Sequence, residues 1–426
     1  MIRPSAGKLA LAAGVAIAIP FLVAPPGAGG ATGPIAAPDS AIHPMSVAVG
    51  GAKPQPTAKT LTHFFRTVLN PLDNTTFGFN MVGQDPSLKQ TTTIIVDVTP
   101  LNLTLDGMTF NGTDILGPTL NSPVFQLNDY TSTAHASDPT VANGVGAGGI
   151  LSPGNTSNQL EDAIMRSQFN EQGTGYHLIL TTVLHPAITI DVPPAQGTLI
   201  QTARGVIAGD VSFSWWSTRI SNLNQTLTYA DPTHLQLYLT DNTMNFVGNN
   251  PLACCVIGFH GASEVRGNGT GSTHGNGNQP IQTYAWASYV TPGFFNPRNG
   301  WAVQDIDPLS HEISEWADDP FVNNLVQPWT APPIAPACQG NLETGDPVVG
   351  TGFTEEANTF RQGPTPNGTQ VADGFYHPED EALLPWFMRL NPSPAQENQS
   401  GTNGRYTFMG DLNPFAVFHS APPACS

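Results

Sequence analysis

The stretch Asp307-Pro308-Leu309-Ser310-His311-Glu312-Ile313-Ser314-Glu315-Trp316-Ala317-Asp318-Asp319-Pro320 decides how the rest of the chain is read. Asp307 offers an acceptor for the first backbone N–H groups, Pro308 suits the first helical position and Pro320 stops the run, which predicts a helix of about three turns. His311 and Glu315 then share one face, with Glu312 beside them. His-Glu-x-x-His is the pattern in which two histidines one turn apart grip a zinc ion and the adjacent Glu takes a proton from its water. Here Glu315 stands at the second ligand position. A carboxylate there binds zinc, but its negative charge weakens the metal's pull on water. The reading is therefore that His311 and Glu315 hold a metal ion and that Glu312 is the general base.

A catalytic zinc site needs a third protein ligand. On spacing, Glu343 in Asn341-Leu342-Glu343-Thr344-Gly345-Asp346 is the first candidate, with Asp346 and His377 behind it. The longer metzincin pattern is absent, because Asp318 and Phe321 stand where it requires Gly and His. Zinc is the expected cofactor. An oxygen-rich set of His311, Glu315, Glu343 and Asp346 would suit calcium, and the histidine argues against it.

Upstream the pattern is mostly β. Thr91–Thr104 has the β-branched density of a strand and its neighbour, and Met108–Leu116 and Ser122–Leu127 can extend the sheet. Asn158–Phe169 has the periodicity of a short amphipathic helix. Tyr176–Leu184, Ala187–Val192, Gly205–Trp216 and Leu235–Thr240 alternate as strands of one mixed sheet. Ala253–His260 reads as a central strand with Gln282–Val290 as its partner. The Gly/Asn-rich loop 261–279, which carries His274, lies between them. Beyond the helix, 321–340 reads as irregular and Glu379–Phe387 as one closing helix turn. The expected fold is α+β: a mixed, largely β sheet with a zincin-like active-site helix and long Gly/Pro-rich loops.

Composition bounds the function. Of 426 residues, 14 are Lys or Arg and 32 are Asp or Glu, a formal charge of −18 that gives nucleic acid or an anionic membrane no electrostatic attraction. A charged fraction of 11% with 43 Gly and 40 Pro favours a loop-rich, exported protein. Arg3 and Lys8, the apolar run Leu9–Ala24 and the small residues Pro25–Gly33 follow the order of a secretory signal peptide, so residues 1–31 are expected to be removed. Residues 32–60 then read as an Ala/Pro/Gly-rich spacer and 61–426 as a single large domain. The expected location is extracellular, with no membrane association after cleavage and an extracellular protein or peptide as substrate. Cys254, Cys255, Cys338 and Cys425 fit two disulfides. Since Cys254 and Cys255 are neighbours, each is expected to pair with one of the distant cysteines. No Cys-x-x-Cys spacing supports a Cys-only zinc site.

The sequence Ser310-His311-Glu312-x-x-Glu315, followed by Asp319-Pro320, Trp329 and Glu343-x-Gly345-Asp346, with Phe259-His260 upstream, resembles the secreted plant phosphate-induced (exordium-like) proteins and similar microbial HExxE proteins. The resemblance covers about residues 250–350, and Cys338 precedes the acidic element instead of following it. It implies a secreted, zincin-like metallohydrolase. Two other readings stand beside it: a non-catalytic extracellular or cell-wall protein in which the same helix binds a structural ion or none, and a glycan-active protein that uses carboxylate pairs from among the chain's other acidic residues. His260 is within reach of the same cleft from its strand but reads first as a strand histidine satisfied by its surroundings, Asp318 and Asp319 read as residues that close the helix, and the tryptophans as packing residues.

Overall fold

Thr91–Leu105 carries the longest β-branched run in the chain, and it forms one fifteen-residue strand, β4, at the heart of the main sheet. In the computed structural model, the described residues are 33–38, 42, 59–128, 130, 157–264, 280–295, 303–331, 335–353, 355–356, 375–391, 406–408 and 425. Elements are numbered in chain order. The early strands are β1 (Ile35–Ala37), β2 (His63–Leu69), β3 (Thr76–Val82), β4 and β5 (Met108–Asn111). Helices α1 (Leu116–Leu120) and α2 (Leu160–Gln168) follow, then β6 (His177–Leu184), β7 (Ile188–Asp191), β8 (Gly197–Thr202) and β9 (Ile207–Ser212). Helix α3 (Phe213–Thr226) leads to β10 (Leu235–Asp241), β11 (Thr243–Phe246), β12 (Cys254–Val256), β13 (Gly258–Glu264) and β14 (Ile281–Tyr289). Last come α4 (Asp307–Asp318), the hairpin β15 (Leu325–Ala331) and β16 (Ala335–Asn341), and α5 (Leu384–Phe387).

The architecture is mixed α+β and mostly strand. The seven-stranded sheet runs β13-β14-β10-β4-β5, with β6 and β7 also paired to β4. β4 is long enough to hold two partners along one edge in turn: β6 pairs with Thr91–Val98 and β7 with Leu101–Thr104, both parallel. Its other edge pairs β10 in parallel over Val96–Pro100. β10 pairs β14 in parallel, and β14 pairs β13 antiparallel.

Side chains alternate between two cores, as the two-residue period of a strand requires. Leu237, Leu239, Ala285 and Ala287 belong to the core that holds α2 and α4, while Tyr238 and Trp286 belong to the core that holds α3. Leu309, Ile313, Trp316 and Ala317 form the apolar stripe that α4 presents to its core. Trp316 is fully buried, and burial of so large an apolar side chain stabilises by roughly 1.5–3 kcal/mol. Its indole Nε1 donates to Thr283 Oγ1 of β14 at 3.1 Å, which fixes the roll of α4 on the sheet. The faces of α4 that carry His311, Glu312 and Glu315 are thereby set.

Several expectations need correction. The expected single sheet is two: β8 and β9 belong to a five-stranded sheet, β1-β8-β9-β11-β12. The run Ala253–His260 is not one central strand, because it breaks at Ile257, with β12 at the edge of that sheet and β13 at the end of the other. Gly205–Trp216 changes from strand to helix at Phe213, where Trp216, Ile220 and Leu223 form a buried helical stripe. Ser122–Leu127 adds no strand, and the stretch expected to be irregular after α4 contains the β15–β16 hairpin. Residues 35–37 of the expected spacer form β1 and pair with β8. Asp307 is the first residue of α4 rather than its cap; Ile306 occupies the cap position.

The cysteine expectation is overturned as well. Cys254 and Cys255 form one pair, both buried in β12, and Cys338 and Cys425 form the other. The long-range bridge joins β16 to the C-terminus, with a Cα separation of 5.7 Å, and leaves the two neighbours to each other. The expected signal peptide and His274 lie outside the described residues. No helix among the described residues is long and apolar enough to cross a membrane.

Candidate metal centre

Four parts of the chain build the site: α4, β13, the turn after β16 and the stretch around Glu379 that precedes α5. On β13, Gly258, His260 and Ala262 face α4, while Phe259 joins the opposite core. A one-residue slip of register would turn His260 away. His260 Nδ1 stands 3.5 Å from Glu312 Oε2 and 3.4 Å from Glu315 Oε2. One turn back along α4, His311 Nε2 lies 3.2 Å from Glu315 Oε1. Glu315 therefore directs one oxygen to each histidine.

The acidic turn closes over the same carboxylate. Backbone N–H groups of Gly345 and Asp346 donate to Glu315 Oε1 at 3.3 and 3.2 Å. Gly345 is needed for this approach, since a Cβ there would overlap the His311 ring. Gly258 plays the same part on the other side, where a Cβ would overlap the Glu312 carboxylate. The Glu-x-Gly-Asp and Gly-Phe-His sequences thus fit against α4 because each offers a residue without a side chain at the point of contact.

Of the residues expected at the site, His311, Glu312 and Glu315 come together as α4 dictates. Asp346 joins His311 and Glu315 in one group whose ligand atoms all lie within 4.8 Å of one another. Glu343 instead approaches His260, its Oε2 standing 3.9 Å from Nε2. His377 is not in either group and bonds Asp305 Oδ2 through Nδ1 at 2.8 Å. His260, Glu312 and Glu315 form a second group of the same kind.

Two members escaped the sequence reading. His260 lies some fifty positions before α4; its strand and the Phe259-His260 resemblance point toward the cleft, but it reads first as a satisfied strand histidine. Glu379 accepts a hydrogen bond on Oε2 from His311 Nδ1, and its own N–H donates to Ser310 Oγ at 2.9 Å. Its one signal was the acidic run Glu379-Asp380-Glu381 in a chain poor in charge. Asp318 and Asp319 close the helix as expected. Asp319 accepts from the Asn323 and Asn324 N–H groups, and Asp318 accepts from Gln168 Nε2 of α2 at 2.6 Å.

The electrostatics are dominated by burial. Glu312, Glu315, Glu343 and Glu379 are all buried, and their positive partners among the described residues are histidines rather than Lys or Arg. Burial, then repulsion from Glu315, holds the Glu343 carboxyl well above the usual range. Burial also raises Glu312 and Glu379, against the pull of His260 and His311 respectively. Glu315 goes the other way: burial raises it, but His311 and His260 together outweigh burial and hold it below its ordinary value. Burial opposes charge on both imidazoles, and their carboxylate neighbours raise both well above the ordinary histidine value.

The donor count leaves a deficit. Glu312 Oε2, Glu379 Oε1 and His260 Nε2 have no hydrogen-bond partner among the described residues. Such atoms are costly to bury, by about 1–3 kcal/mol each. Two imidazoles and clustered carboxylates are a donor set that fits a divalent cation, and the two groups together can hold one. Comparison with known protein families, with curated proteins and with solved structures returns no match.

Proposed function

We propose that this protein is a secreted, metal-dependent hydrolase, peptidase-like in its chemistry, whose ion is held by His311, Glu315 and Asp346. The observation that carries this reading is the surplus of buried carboxylates at α4 over the donors available to them. The resemblance to HExxE proteins and the signal-like N-terminus support it. Zinc suits the imidazole donors better than calcium does.

Bound there, a zinc ion would supply the Lewis acidity that polarises a scissile carbonyl and makes water a nucleophile near neutral pH. The chain's own residues perform the rest. Glu379 holds His311 Nδ1 and so leaves Nε2 as the ligating nitrogen, the carboxylate–histidine relay found behind many metal ligands. Glu315 is kept ionised by the two imidazoles and anchored by the Gly345 and Asp346 N–H groups. Glu312, raised by burial, is suited to take up a proton from water and return it to the leaving amine. His311 has a side-chain exposure of 14% against 4–9% for His260, Glu315, Glu312 and Glu343, so a substrate would approach from its side.

The test is hydrolysis of a mixed peptide library by the zinc-loaded protein and by Glu312→Gln. Turnover should fall by at least about 100-fold in the variant, the usual worth of a general base, while zinc at His311 persists. Turnover unchanged in Glu312→Gln would reject the catalytic role. A second reading is favoured by the depth of the cluster: a structural ion in a non-catalytic extracellular protein. It predicts that zinc raises the melting temperature equally in the wild type and in Glu312→Gln and that no peptide is cleaved by either.

A further inference from the structure

We propose that the α4 cluster holds two divalent cations, not one, bridged by Glu315. The inference rests on the metal-centre reading above and extends it to a second position, formed by His260 and Glu312 with the second oxygen of Glu315, in which Glu312 serves as a ligand instead of as the base.

The two groups share Glu315 alone: His260 enters with Glu312, and His311 enters with Asp346. Glu315 Oε1 faces His311 Nε2 at 3.2 Å and Oε2 faces His260 Nδ1 at 3.4 Å, so its two oxygens serve different imidazoles from different elements. This is the disposition of a carboxylate that bridges two ions about 3.5–4 Å apart.

The arrangement around Glu315 is also repeated. His311 gives Nδ1 to Glu379 and Nε2 to Glu315. His260 faces Glu343 with Nε2 and Glu315 with Nδ1. Each imidazole thus has a carboxylate on its far side, hydrogen-bonded to His311 but 3.9 Å from His260, and turns its other nitrogen toward Glu315.

An unsatisfied polar side chain points to the second position independently. Glu312, 4% exposed, has an Oε2 without a hydrogen-bond partner, 3.5 Å from His260 Nδ1. Gly258 leaves the space that this carboxylate occupies.

The experiment is a zinc titration of metal-stripped protein, read by native mass spectrometry and calorimetry. Wild type should take two ions, His260→Ala one, and Glu343→Gln two with the second bound at least tenfold more weakly. Glu312→Gln should also weaken the second ion alone; a one-ion centre with Glu312 as base predicts unchanged binding in that variant. Because wild-type stoichiometry is decisive, misfolding of a variant does not obscure the result. One ion in wild type, retained in His260→Ala, would overturn the second position and leave the hydrolase reading standing. No ion in wild type would overturn both.

Discussion

Asp97 and Glu315 are both buried carboxylates that face two histidines, and they teach different lessons. Asp97 on β4 accepts from His185 Nε2 and His234 Nδ1, each at 2.8 Å, and from Gln236 Nε2 at 2.7 Å. His185 is held further by stacking on Tyr229 at 3.7 Å, whose hydroxyl pairs with Thr99 Oγ1. One carboxylate meets three donors, and the node is closed. Around Glu315 the carboxylates of Glu312, Glu343, Asp346 and Glu379 gather about two imidazoles, and Glu312 Oε2 and Glu379 Oε1 are left without a hydrogen-bond partner among the described residues. The same residue types therefore make a closed structural pin in one place and, in the other, a cluster with unpartnered carboxylate oxygens that could hold a cation.

That contrast can be broken by removing each centre in turn. Asp97→Ala leaves two imidazoles and an amide without their acceptor, and should lower stability by about 3–5 kcal/mol, as loss of one partner from a buried pair does. Urea unfolding measures the loss, and zinc affinity should stay within about twofold since no metal ligand is touched. A large fall in zinc affinity would mean the two nodes are not independent.

Asp241, at the end of β10, sharpens the contrast because it is buried with one side-chain donor, Asn242 Nδ2 at 3.0 Å, and no histidine. Burial, with Asp114 adding to it, pushes its carboxyl up to about 7. A carboxyl raised in the folded state costs stability where the unfolded chain is ionised. The cost is absent below about pH 4, grows as pH rises toward 7 and is constant above it. Asp241→Asn should therefore gain up to about 4 kcal/mol over wild type at pH 8, and the gain should vanish at pH 4. Equal stabilities at both pH values would contradict the assignment.

A smaller effect is expected from Glu379→Gln, which keeps the shape behind His311 and removes the charge. Zinc affinity should fall by roughly 10–100-fold, the usual cost of losing a carboxylate behind a ligating histidine. Competition with a chromophoric chelator would measure it.

Much of this was legible in the sequence for identifiable reasons. Helix α4 declared itself through Pro308 at its start and Pro320 just beyond its end. Strands β4, β10 and β14 were visible in their β-branched or alternating runs. Helix α3 was not, because Phe213, Trp215 and Trp216 have strand propensity and only the spacing of Trp216, Ile220 and Leu223 signals a helix. The break at Ile257 was hidden for a different reason: a continuous apolar run does not show that the chain passes from one sheet to another there. His260 and Glu379 reach the site through β13 pairing and through the hydrogen bond from Glu379 N–H to Ser310, and neither contact leaves a local spacing. The cysteine pairing failed because the partner of Cys338 is set by where the C-terminus returns to β16.

The central claim is that the carboxylate surplus at α4 exists to hold a divalent cation. Crystals of the zinc-soaked protein, measured on both sides of the zinc absorption edge, test it directly. The account predicts an anomalous peak in contact with His311 Nε2, Glu315 and Asp346, with a second beside His260 and Glu312. An ordered cluster with no peak at either place, at zinc concentrations well above those that saturate ordinary zinc enzymes, would contradict it.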